Sequence, residues 1–104
     1  MVIKTCESSV YLKTILNQHQ KVIVDFSAQW CGPCKKIEPL YKNLSEQFPN
    51  LFFVKIDIGN VPEISDEYGI QTLPTFQTFL NGVKFGELSG ANKDELEKLV
   101  KNLS

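Results

Sequence analysis

Apolar positions along the chain switch between unbroken or two-residue periods and a 3.6-residue period, as strands and helices in alternation would produce. Met1 to Thr5 reads as a short strand. Ser8 stands where it can cap a helix over Val10 to Gln18, with Leu12, Ile15 and Leu16 on one face. Val22 to Ser27 is a strand whose unbroken apolar start implies burial on both faces, as in a central parallel strand. From about Cys34 to Gln47 the apolar period is helical, through Ile37, Leu40, Tyr41 and Leu44. Pro39 lies inside this helix and should kink it rather than end it, because the period continues beyond it. Leu51 to Asp57 is a second central strand, introduced by the breaker Pro49-Asn50. Pro62 to Tyr68 reads as a short helix closed by Gly69. Thr75 to Leu80 and Val83 to Leu88 form a hairpin around Asn81-Gly82. Asn92 and Glu95 make a capping box for a last helix with Leu96, Leu99, Val100 and Leu103 on its core face.

The order βαβαβαββα joins crossover units to one terminal hairpin. Crossovers are right-handed in nearly all cases, so helices are expected on both faces of a mixed sheet. The pattern shows no internal repeat, linker or low-complexity segment, and 104 residues suit one domain, 1–104, with one hydrophobic core. A net charge of −1 argues against nucleic acid or an anionic membrane as a main partner. No apolar stretch approaches the ~20 residues of a membrane span. The first residues show no basic region, apolar h-region or small-residue cleavage site, so no secretory signal is visible. Three cysteines, an odd number, do not build a structural disulfide framework. A reduced, cytoplasmic setting is expected.

The chemistry concentrates in Trp30-Cys31-Gly32-Pro33-Cys34, where an apolar strand feeds a helix. A helix N-terminus offers unpaired N–H groups and a positive dipole end, which stabilise an anion. A thiolate is such an anion, and it is the form of cysteine that attacks a disulfide. Pro33 suits the first helical turn, and Gly32 keeps the turn compact. Half of a zinc site is the bland alternative, but structural zinc takes four ligands. Only Cys6 and His19 remain as candidates, and neither has second-pair spacing. The pair reads as a redox device, with no metal. Asp25 is anomalous, because it follows Val22-Ile23-Val24, where both faces should be apolar. It is either a strand-end aspartate that reaches solvent or a buried acid whose raised pKa makes it a proton acceptor. Lys55 is either its charge partner or an ordinary lysine whose stem lies along apolar surface.

Trp30-Cys31-Gly32-Pro33-Cys34 resembles the active site of the thioredoxin family, and the resemblance covers essentially the whole chain. Asp25, Lys55, Ile70-Gln71-Thr72-Leu73-Pro74-Thr75, Asn81-Gly82 and Ser89-Gly90-Ala91 stand in matching order. The resemblance implies a thioredoxin fold, a three-layer α/β/α sandwich whose mixed five-stranded sheet is flanked by four helices. It implies a general protein disulfide reductase. Cys31, at an exposed helix start, would be the nucleophile, and the more buried Cys34 the resolving thiol. Asp25 would accept a proton beneath Cys34, with Lys55 as its partner. Pro74 would be cis and expose backbone groups that pair with an extended substrate, with Thr75 beside it. Trp30, Gly32, Pro33, Leu73, Gly90 and Ala91 would complete a flat docking surface.

No bound cofactor is implied. Electrons would come from NADPH by way of a separate thioredoxin reductase, since the chain lacks a Gly-rich nucleotide loop. Peroxiredoxin, ribonucleotide reductase and methionine sulfoxide reductase are the expected targets of a monomer. The chain also departs from the family. Gly59 stands where relatives place an acid that accepts a hydrogen bond from the tryptophan indole, Thr72 where some animal relatives carry a cysteine, and Gln29 is uncharged. A disulfide isomerase or oxidase is one rival, but oxidising relatives tend to place histidine where Pro33 stands. A binding subunit built on the same fold is the other, and turnover with NADPH and a thioredoxin reductase separates it from the enzyme.

Overall fold

The computed structural model describes residues 3–104. Its elements, in chain order, are β1 (Ile3–Cys6), α1 (Ser9–Gln18), β2 (Lys21–Ser27), α2 (Gly32–Gln47), β3 (Phe52–Asp57), α3 (Glu63–Tyr68), β4 (Thr75–Leu80), β5 (Val83–Ser89) and α4 (Lys93–Leu103). The five strands form one sheet in the order β1-β3-β2-β4-β5. β3 runs parallel to β1 and β2, whereas β4 is antiparallel to both β2 and β5. This is the mixed α/β sandwich that the element order predicts.

Side chains alternate across the sheet and so divide the apolar residues into two layers. Val22, Val24 and Phe26 of β2 face Leu12, Ile15 and Leu16 of α1 and Ile64 of α3. Ile23, with Phe53 and Phe76 from its neighbours, faces Ile37, Tyr41 and Leu44 of α2 and Leu96, Val100 and Leu103 of α4. Burying each such side chain stabilises the fold by roughly 1.5–3 kcal/mol. β2 is flanked by strands on both edges and by helices on both faces. That explains why its sequence is apolar without alternation.

Local signals set most boundaries. The Ser8 side chain accepts the Tyr11 N–H at 3.0 Å, and Asn92 Oδ1 accepts the Glu95 N–H at 2.9 Å. The Glu95 carboxylate turns to Lys98, at 3.4 Å. Asn81 and Gly82 both have positive φ, 53° and 81°, which gives the hairpin a turn that matches the twist of its strands. Several expectations shift: the Asn92–Glu95 box closes only from the Asn92 side, and β3 and α3 each begin one residue later than predicted. β1 reaches Cys6, while the predicted Met1 and Val2 lie outside the described residues. α2 begins two residues early, at Gly32, because a sulfur caps it, and it continues through Pro39.

One polar contact inside the α2–sheet layer carries weight. The fully buried Tyr41 hydroxyl donates to the Val54 carbonyl at 2.7 Å and lies 3.1 Å from that of Ile23. It ties α2 to β2 and β3 directly behind the motif. Tyr41→Phe should lower stability by about 1 kcal/mol, the net worth of a typical buried hydrogen bond. In urea unfolding the midpoint should fall with an unchanged slope. An unmoved midpoint would show that the hydroxyl does not hold the helix to the sheet.

Candidate active site

The chain leaves β2 through Ala28-Gln29-Trp30 and enters α2 at Cys31. The Cys31 N–H donates to the Ala28 carbonyl at 3.2 Å, which folds the turn back on the strand. Cys31 itself is extended, at φ −91° and ψ 112°, as an N-cap residue must be. Its sulfur occupies the place of a capping oxygen and accepts the Cys34 N–H at 3.2 Å. An anion on that sulfur gains both the amide and the dipole end of α2. Cys31 and Cys34 are joined by a disulfide, with their Cα atoms 5.3 Å apart.

The sequence suggests an exposed Cys31 above a more buried Cys34. The structure corrects this, because each residue is 5% exposed in the disulfide. Ala28, Ile58 and Leu73 pack against the bonded pair. What differs is where each cysteine faces. Cys31 lines an apolar groove of about 490 Å³ with Trp30, Gly32, Pro33 and Leu73. Cys34 lines a polar cavity of about 650 Å³ with Ser27, Lys35, Glu38, Lys55 and Asp57.

Around the groove the expected docking residues separate into two groups. Trp30, 74% exposed, gathers with Gly32, Pro33 and Leu73 beside Cys31. The Leu73–Pro74 peptide bond is cis, and the Gly90 N–H donates to the Pro74 carbonyl at 2.8 Å. Gly90 holds this place at φ 108°, a conformation that suits glycine, with the exposed Ala91 next to it. Pro74 and Thr75, by contrast, are buried. Thr75 pairs with Phe26 on one side and Ser89 on the other, and its hydroxyl donates to the Thr72 carbonyl at 2.7 Å. Its place in the sheet interior keeps its side chain off the docking surface. Ile58, Ile70 and Gln71 also line the groove and were missed from sequence. Ile70 and Gln71 stand in the run that matches the family beside Leu73-Pro74, which could have placed them here, whereas Ile58 carried only its loop position.

Gly59 faces the tryptophan, as the alignment of motifs implies. A Cβ added there would lie 3.9 Å from Trp30 Nε1 and 3.0 Å from Asp57 Oδ1. The Gly59 N–H donates to that same Asp57 oxygen at 2.7 Å, so the loop already turns on a carboxylate. Among the described residues, the indole N–H has no protein partner.

Asp25 is 2% exposed, and its Oδ1 has no hydrogen-bond partner among the described residues. Of the two sequence readings, burial is the one the structure shows. Its pKa is pushed up from 3.8 to about 7, chiefly by burial, with Lys55 opposing the rise and Glu38 adding to it. Asp25 and Ser27 project to the same face of β2, and Ser27 borders the cavity of Cys34. Lys55 is the register neighbour of Asp25 on β3, but its ammonium pairs with the carboxylate of Glu38. Lys55 is thus a charge partner of Asp25 through space, while its direct contact is with Glu38. Glu38 is half-exposed, so the pair forms at the water-facing edge without burying the ammonium beside Asp25. Glu38 was missed from sequence, although it lies one turn after Cys34 and one turn before Tyr41.

Among the described residues, no group of three or more His, Cys, Asp or Glu is placed to hold a metal ion. Residues 2–102 match the family model described as thioredoxin. The chain is 41% identical to thioredoxin of Sus scrofa, over 98% of this chain and 99% of that one. A solved structure of Plasmodium falciparum thioredoxin superposes with a TM-score of 0.94 at 37% identity, covering 97% of this chain and 99% of that one. Another, from work on the thiol resolving mechanism of yeast mitochondrial 1-Cys peroxiredoxin via glutathione/thioredoxin systems, gives 0.92 at 34% identity, over 97% and 95%. With this likeness over its length, and a disulfide at the helix start that joins the cysteines of Trp-Cys-Gly-Pro-Cys, the chain belongs to the thioredoxin family and is a thiol–disulfide oxidoreductase.

Proposed function

We propose that Cys31 is the attacking thiol of a general protein disulfide reductase, Cys34 the resolving thiol and Asp25 the proton acceptor. The observation that carries this assignment is the Cys31 sulfur capping α2 while lining the apolar groove. The Cys31 thiolate attacks one substrate sulfur, and the other leaves and takes up a proton. Cys34 then gives its proton to the Asp25 carboxylate, directly or through water, and attacks the Cys31 sulfur. The second substrate sulfur leaves, and the two electrons have passed from the cysteine pair to the substrate. Trp30, Gly32, Pro33 and Leu73 seat the substrate chain next to Cys31. Leu73, with the cis Pro74 and the Gly90-Ala91 turn, offers backbone groups to an extended segment.

The resulting Cys31–Cys34 disulfide needs a reductant. NADPH acting through a separate thioredoxin reductase fits a chain with no nucleotide loop of its own. Disulfides of the peroxiredoxin, ribonucleotide reductase and methionine sulfoxide reductase class are the targets we assign. The structural neighbour connected with a peroxiredoxin supports the first of them. We assign a monomer working in the reducing cytoplasm, a setting that suits a third cysteine, Cys6, kept as a buried free thiol. The low net charge, −1, supports protein partners rather than nucleic acid or membrane. Turnover of a generic protein disulfide with NADPH and a thioredoxin reductase tests the route. Absence of turnover would favour a binding subunit.

The order of attack makes a direct prediction. Cys34→Ser should accumulate a mixed disulfide through Cys31 after exposure to a disulfide substrate, and Cys31→Ser should not. Mass spectrometry of both variants decides it, and equal trapping would overturn the assignment.

Asp25 makes a second. Below the unfolded pKa of about 3.9 the acid is neutral in both states and costs nothing. Between that value and about 7 the unfolded chain ionises while the folded one does not, so stability falls as pH rises. Above about 7 the penalty is constant, on the order of 4 kcal/mol for roughly three pH units. Asp25→Ala should therefore be more stable than the parent near neutral pH, by less than that figure because a small cavity remains. Its advantage should grow from pH 4 to 7 and then level off, while disulfide exchange near neutral pH slows. Denaturant unfolding of both oxidised proteins across that range measures it. An advantage that does not change with pH would contradict a buried, neutral acid.

A further inference from the structure

We propose that Glu38 is a positioning residue: it anchors the Lys55 ammonium at the water-facing edge between α2 and β3, and so controls how much positive charge reaches Asp25. The inference rests on the reading of Asp25 as proton acceptor and deepens it. Lys55 lies directly opposite Asp25 in the β2–β3 register, and its flexible stem could turn toward that carboxyl. The structure instead pairs Lys55 with Glu38, one helical turn beyond Cys34. Glu38 and Lys55 together border two cavities, the polar one behind Cys34 and another that runs along Tyr41 toward β1. The ion pair thus lies on the border that the two cavities share.

The charged and titratable groups around Asp25 come from few elements. β3 contributes Lys55, while α2 contributes Glu38 and Tyr41. On β4 the register neighbour is Phe76, and α4 presents Leu96, Val100 and Leu103 to this layer. Lys35 and Asp57 line the cavity farther out. Burial holds the Tyr41 hydroxyl well above its ordinary pKa, so it stays neutral and adds no switchable charge. Lys55 is then the cation best placed to act on Asp25, and Glu38 is the group that sets its position. A carboxylate at residue 38 also repels the Asp25 anion, so both effects keep Asp25 protonated to higher pH.

The test reads Asp25 itself, by the pH titration of its carboxyl carbon in the NMR spectrum of the oxidised full-length chain. Glu38→Ala should lower the Asp25 midpoint by about half a pH unit or more, because one anion is lost and Lys55 is released. Glu38→Asp keeps the anchor and should return most of that shift. In a Lys55→Met background, Glu38→Ala should move the midpoint by clearly less, since only the direct repulsion remains to be removed. An unmoved midpoint in Glu38→Ala overturns the proposal. An equal shift with and without Lys55 also overturns it, because Glu38 would then act by its own field and not as an anchor. The pH profile of mixed-disulfide resolution separates this from the role of Asp25. If the midpoint shifts while that profile stays fixed, the anchor stands and the proton-acceptor assignment fails.

Discussion

The junction of β2 and α2 depends on one contact, the Cys34 amide donated to the Cys31 sulfur. A helix start needs an acceptor for its first free N–H groups, and serine, threonine, aspartate or asparagine normally supplies an oxygen. Here a sulfur does it, so under the proposed order of attack the cap of the helix and the attacking atom are the same group. Structural and chemical demands then coincide. Tyr41, two turns on, fixes the helix to the carbonyls of Val54 and Ile23, so the terminus cannot drift from the strand end. The sheet topology adds the rest. β2 lies between β3 and β4, which lets Ile58 after β3 and Leu73 before β4 close over the disulfide from two sides.

Two cavities follow from that arrangement, and they divide the labour. The groove on the Cys31 side is apolar and rimmed by an exposed indole, which suits a protein chain laid across it. The cavity on the Cys34 side is lined by ionisable groups, which suits water and protons rather than a substrate backbone. Each half of the disulfide borders a different one of them. Equal exposure of the two cysteines is no obstacle to different roles, because access to Cys31 depends on a surface groove and access to Cys34 on the cavity behind it. Asp25 adds a cost to the fold, since an unpartnered carboxyl in a packed sheet opposes folding at neutral pH. A tightly packed core around it, from Phe53 and Phe76 to Leu96, tolerates that cost.

The fold was legible because its signals are local and redundant. Ser8 and Asn92 are caps, Asn81-Gly82 is a hairpin turn, and the apolar run of Val22 to Val24 marks a strand buried on both faces. The motif was legible for the same reason, being contiguous. What sequence alone could not place was anything dependent on a second element. Lys55 looked like the partner of Asp25 because both lie in central strands, and they are indeed opposite each other. The competitor, Glu38, comes from a helix that crosses that strand pair, and helical periodicity assigned its polar face to solvent. Thr75 is named from its neighbour Pro74, and that its side chain is buried depends on strands that flank it on both sides. The start of α2 is legible from Pro33, which suits a first helical turn, even though cysteine is not a standard cap.

The loop after β3 shows how a family scaffold leaves room for change beside fixed chemistry. Asp57 ends the strand and turns its carboxylate onto the Gly59 N–H, so the loop is held by a side chain bonded to its own backbone. A side chain at 59 would begin 3.0 Å from that carboxylate, closer than ordinary contact, and an acid there would set two like charges together. Such a side chain would thus require Asp57 to give a little, and an acid would add like-charge repulsion. The consequence falls on Trp30, whose indole is left to solvent rather than to a fixed acceptor. A rim residue without a fixed partner can adjust to the chain that lies on it, while the sulfur beneath stays held by the helix. Variation at residue 59 can thus alter what docks without disturbing what reacts.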